Sequence, residues 1–133
     1  MSILVVDYDE GTLRTFKKVL QKRGLEVESA MDGEEAKQKI KAKSYDAVLV
    51  SFRLPDMDGI DLLLFMRTSL PRAAKILVSG LDSLNYGIRA VEAGADAFFA
   101  KPVSPSRLVM IIEEKLKQQK GSESLSQKEE RLQ

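Results

Sequence analysis

The chain has 133 residues, 44% apolar and 31% charged, with 21 Lys+Arg against 20 Asp+Glu. That length suits one domain with its own core, and a net charge of +1 argues against a dedicated nucleic-acid binder. With no Cys and no His, disulfides, thiol nucleophiles, Ser-His-Asp hydrolysis, phosphohistidine chemistry and ordinary zinc sites are excluded within this chain.

Ile3-Leu4-Val5-Val6 is a short apolar run ending at Asp7. A continuous run of this kind predicts a strand buried on both faces. Leu13, Phe16 and Leu20 then recur at helical spacing, with Asp9 as N-cap and Gly24 just past the end. Residues 25–29 alternate, which predicts an edge strand with one wetter face. Asp32 with Glu35 three places on reads as a capping box, opening a helix through Ala36 and Ile40. Residues 47–50 are a third strand, ending at Ser51. Residues 60–69 form a strongly apolar helix, stopped near Pro71. Residues 76–78 are a fourth strand, ending at Ser79, and 83–93 a helix closed by Gly94. Ala97-Phe98-Phe99-Ala100 is a fifth strand, buried on both faces like the others, ending at Lys101. Ser104 and Pro105 open a last helix from Arg107 to about Lys117, with Leu108, Ile111, Ile112 and Leu116 inward. Residues 1–120 are therefore expected to fold, with 121–133 a polar, charged tail or linker stub.

No apolar run approaches the ~20 residues that span a bilayer. No basic stretch leads into an apolar one at the N-terminus, as a signal peptide would. The expected location is the cytoplasm, with no membrane contact. Five strands alternating with five helices predict an α/β fold, a five-stranded parallel sheet covered on both faces. Ligands of such sheets sit outside the carboxyl ends of the strands. That rim gathers Asp7-Tyr8-Asp9, Ser51, Ser79, Lys101 and the loop 52–59.

Ile3-Leu4-Val5-Val6-Asp7, Leu54-Pro55-Asp56-Met57-Asp58-Gly59, Val78-Ser79-Gly80 and Lys101-Pro102 together resemble the receiver domain of bacterial two-component response regulators. The likeness covers about residues 2–118. It implies a flavodoxin-like (βα)5 domain in phosphorelay signal transduction, and no enzyme. In that family an acidic pair after the first strand holds Mg²⁺, and an Asp ending the third strand takes phosphate from a histidine kinase. A Ser or Thr and a Lys bind the phosphoryl oxygens, and an aromatic in the fifth strand rotates as a switch. By this resemblance Asp7 is the first acid, Ser79 the hydroxyl, Lys101 the lysine and Phe98 the switch aromatic.

Two positions depart from the family pattern. Tyr8 stands where the second acid belongs, and Ser51 where the phosphoacceptor Asp belongs. Mg²⁺ wants oxygen ligands, usually with one or two carboxylates, and only Asp7 is left of three. No metal and no cofactor is therefore expected here, although intact relatives use Mg²⁺. A serine hydroxyl needs a base to attack phosphohistidine, where a carboxylate does not. The expectation is a degenerate receiver that signals or binds proteins without phosphorylation at the usual Asp position. One alternative is a competent receiver with another acceptor, Asp56 or Ser51. Another is a small hydrolase built on Ser51 and Lys101, opposed by Asp7, which favours the charged ammonium over the free base. The plainer readings are that Ser51 bonds locally, Asp56 and Asp58 shape the turn before the third helix, and Lys101 pairs with Asp7. Gly59 and Gly94 read as backbone-conformation residues. The family's partners are a sensor kinase, an output domain or another receiver. Its homodimers use the fourth helix, fifth strand and fifth helix, here with Tyr86, Arg89, Val109, Met110 and Glu113.

Overall fold

The computed structural model describes residues 1–80 and 84–132, with side chains described over 1–80 and 86–118. The elements follow in strict alternation: β1 (Ser2–Val6), α1 (Glu10–Lys22), β2 (Glu26–Ala30), α2 (Gly33–Ala42), β3 (Ala47–Ser51), α3 (Gly59–Ser69), β4 (Ala74–Ser79), α4 (Leu84–Glu92), β5 (Ala97–Ala100) and α5 (Pro105–Leu132). All neighbouring strands are parallel, in the order β2-β1-β3-β4-β5. Right-handed crossovers then place helices on both faces.

Alternation along each strand divides the core. Ile3, Val5, Leu49, Ile76 and Val78 pack with Leu13, Phe16 and Leu20 of α1 and Leu108, Ile112 and Leu116 of α5. Leu4, Val6, Val48, Val50 and Leu77 face Ala36 and Ile40 of α2, Leu62, Leu63 and Met66 of α3, and Ala90 of α4. Each fully buried Leu or Ile contributes roughly 1.5–3 kcal/mol of apolar burial.

The caps sit where short-range spacing put them. Asp9 accepts from the Thr12 amide and Asp32 from the Glu35 amide. Glu35 returns its carboxylate to the Met31 amide, one residue before the cap. Asp58 and Asp61 form a reciprocal capping box that opens α3. Gly94 has φ +103°, in the left-handed region, but Gly59 does not. A Cβ on Gly59 would lie 2.7 Å from the Ser51 carbonyl oxygen and 2.5 Å from a Leu77 methyl. Gly59 is therefore required by close approach.

Three expectations need correction or completion. β2 is an edge strand as expected, but β5 is the other edge, and Phe98 and Phe99 are only half-buried. Phe98 and Phe99 pack on opposite faces, each against a different core cluster, and no further strand covers the outer side of β5. The last helix runs to Leu132, well past Lys117. Its Gln, Lys, Glu and Leu residues are good helix formers, so propensity carries the helix where core-facing periodicity stops. Ser83 lies outside the described residues. No helix among the described residues is long and apolar enough to cross a membrane.

Candidate functional site at the carboxyl edge of the sheet

Parallel register brings the expected residues to one rim. Val6 pairs with Val50, Ser51 with Val78, and Ser79 with Ala100. Each strand therefore stops at the same level. The Asp7 amide donates to the Ala30 carbonyl (3.1 Å), and the Lys101 amide to the Ser79 carbonyl (2.7 Å). The Lys101–Pro102 peptide bond is cis.

At the centre is an ion pair. Lys101 Nζ lies 3.0 Å from Asp7 Oδ2 and 3.5 Å from Ser51 Oγ. Asp7 Oδ1 accepts from the Asp9 amide at 2.9 Å. The Asp7 side chain is 4% exposed and that of Lys101 31%. A buried carboxylate needs such compensation, because desolvation otherwise costs several kcal/mol per ion. Ser51 and Ser79 are both buried beside this pair. Tyr8 is 54% exposed.

The remaining acids are committed to helix ends. Asp9 accepts from the Thr12 amide (3.0 Å) and hydroxyl (2.6 Å), which hold its carboxyl below the ordinary range. Asp58 caps α3. Asp56 reaches across to α2, taking the Gly33 amide at 2.8 Å and the Glu34 amide at 2.9 Å. Desolvation pushes the Asp56 carboxyl up, but those two amides together with its own amide and the charge of Lys37 leave it below the ordinary range. Met57 lies directly over Gly33, where a Cβ would meet its sulfur. The turn before α3 is thus braced against the next helix.

Phe98 packs against the core cluster that contains Ala90 and Phe52. Of the five surface residues expected on α4 and α5, Arg89 and Met110 are exposed. Tyr86 is half-buried, with its ring edge-on to Phe52 at 4.5 Å between centroids. Val109 is buried against the sheet, 5% exposed, because it lies one place from Leu108 on the inward side of α5. Glu113 turns to α1, where Arg23 binds it through two nitrogens at 2.7 and 3.2 Å. The apolar residues that stand out on α4 are Ile88 and Val91, 48% and 66% exposed. Their spacing on an amphipathic helix could have flagged them, but the Phe52–Tyr86 contact had no short-range signal.

The rim, the strand order and the crossover pattern agree with one family. The chain matches the response regulator receiver domain model over residues 3–113. The chain belongs to the response regulator receiver family. The receiver domain protein (CheY-like) of Methanospirillum hungatei JF-1 is similar in structure, with a TM-score of 0.88 and 38% identity over 91% of this chain and 97% of that one. The receiver domain of the Francisella response regulator 1452 superposes with a TM-score of 0.83 at 29% identity, covering 88% and 97%. Among curated proteins, the cell cycle transcriptional regulator CtrA of Caulobacter vibrioides is 28% identical over 121 residues, 91% of this chain and 52% of that protein. The alginate biosynthesis transcriptional regulatory protein AlgB of Pseudomonas putida is 30% identical over 106 residues, 80% of this chain and 24% of that protein. The receiver chain therefore spans about half, or less, of the length of these curated relatives.

Proposed function

We propose that this receiver is a signalling module that works through protein contacts and neither binds Mg²⁺ nor accepts a phosphoryl group at its rim. The observation that carries this reading is the Lys101–Asp7 ion pair beside Ser51. Mg²⁺ takes near-octahedral oxygen ligands and keeps several waters, usually with one or two carboxylates. Here the donor set does not suit it. Asp7 brings one carboxylate, and its two oxygens already accept from Lys101 Nζ and the Asp9 amide. Ser51 adds a neutral hydroxyl, and Tyr8 a neutral phenol that is mostly exposed.

The same contacts weigh against the alternatives. Ser51 as acceptor or nucleophile requires a base, and the nearby amine is ion-paired with Asp7. That counts equally against a Ser51–Lys101 hydrolase and in favour of no enzymatic activity. Asp56 as acceptor would have to release the two α2 amides it caps.

The partners that fit are a sensor kinase, an output domain or another receiver. Exposed Ile88 and Val91 on α4 and Met110 on α5, the last 71% exposed, support a second copy docking through α4, β5 and α5. Sedimentation should then show concentration-dependent association, weakened by Val91→Asp and by Met110→Asp. A monomer at all concentrations would remove the second copy as partner. The metal reading is tested by titrating Mg²⁺ to several millimolar while following the amide resonances of Asp7, Ser51 and Lys101. Unchanged shifts are expected. Saturable binding at or below about a millimolar, the strength of a site that keeps its carboxylates, would overturn it.

A further inference from the structure

Phe52 follows Ser51 directly and is 8% exposed, inside the core. Its ring meets Tyr86 in the first turns of α4 at 4.5 Å and 64°, an edge-on aromatic pair. The Arg89 guanidinium covers the Tyr86 ring from the solvent side, at 5.8 Å. The next residue, Gly87, lies against Phe98, whose ring would stand at ordinary van der Waals contact, 3.6 Å, from a Cβ there. Two successive residues of α4 are thus seated on aromatics, one from the end of β3 and one from β5. Ile88 and Val91, which point outward, belong to the same short helix.

We propose that the Phe52–Tyr86 ring contact is a mechanical link that ties α4 to the end of β3 and so sets the outward face of α4 without an occupant at the rim. Only the last clause rests on the reading of an inactive rim. The link itself is a matter of packing. Edge-on aromatic pairs contribute beyond the area they bury, and close-packed elements respond to a lost contact by changing arrangement. The ring pair then gives a displacement of the backbone at Ser51 and Phe52 a direct route to the first turn of α4, beside the packing of Ala90 and Ala93 in the same core cluster.

The test is amide hydrogen exchange on the full chain in wild type, Tyr86→Leu, Tyr86→Phe, Phe52→Leu and the Tyr86→Leu/Phe52→Leu double variant. Tyr86→Leu should speed exchange of amides 88–93 by about two- to tenfold, the worth of one aromatic pair. Amides of β1 and α1 should stay at wild-type rates, showing that the domain remains folded. Tyr86→Phe keeps the ring and should match wild type. Phe52→Leu should speed the same α4 amides, and the double variant should fall well short of the product of the two single effects. Equal acceleration in α4 and β1, or multiplicative effects in the double variant, would overturn the link. Intact mass after treatment with acetyl phosphate and Mg²⁺ reads the rim separately. A phosphorylated wild type with the expected exchange pattern would leave the link standing and remove the inactive-rim reading.

Discussion

Lys101 and Asp7 are 94 positions apart in the chain, yet each is needed to keep the other acceptable where it lies. Asp7 is the more buried partner, so removing the ammonium strands a buried carboxylate with only one backbone amide. Lys101→Ala should therefore destabilise the fold by about 1–3 kcal/mol in urea denaturation, somewhat less than a fully buried pair because Lys101 is part-exposed. Asp7→Asn added to that variant removes the stranded charge and should recover part of the loss. A double variant as unstable as the two single effects summed would mean that the pair is not coupled. This pairing was readable from the sequence, because Asp7 and Lys101 each end an apolar run and parallel strands end together. Val109 and Glu113 were misplaced for a related reason. A helix beyond the last strand has two possible contact layers, and periodicity alone does not say whether α1 or α4 is its neighbour.

At the scale of elements, the turn between β3 and α3 braces α2 through Asp56 and through Met57 on Gly33. Asp56 acts as a cap supplied from 23 residues away. Asp56→Ala should cost about 0.5–1 kcal/mol at neutral pH, as loss of an exposed cap does. The folded-state carboxyl lies below its ordinary value of 3.8, despite the opposing effect of burial. The stabilisation should be full above about pH 4 and lost as pH falls further through the folded value. Denaturation of both proteins at pH 7 and pH 3 checks this. A gap between them that does not narrow at pH 3 would show that Asp56 does not act as a charged acceptor. Local caps such as Asp9 and Asp32 were legible because their partners are three residues away. Asp56 was read as shaping its own turn or, in the alternative, as a phosphoacceptor, and not as a cap for α2, since nothing in its neighbourhood points to that helix. The continuation of α5 to Leu132 was missed because helix propensity leaves no apolar stripe.

The whole molecule keeps the receiver architecture. The sheet order and the carboxyl-edge rim follow from alternating runs and parallel pairing, and these were visible in the sequence. That Tyr8 and Ser51 stand where the family resemblance implies acids could be read only once that resemblance gave each rim position a role, and the inactive rim is the reading proposed above. Ser79 and Lys101 remain at the rim, so Tyr8→Asp with Ser51→Asp should restore phosphate uptake, and Ser51→Asp alone should restore less. The most direct measurement is the intact mass of the wild-type chain after incubation with acetyl phosphate and Mg²⁺, beside the Tyr8→Asp/Ser51→Asp variant treated identically. An unchanged wild-type mass with one phosphoryl group added to the variant is expected. A wild-type chain that gains a phosphoryl group under those conditions would contradict the account.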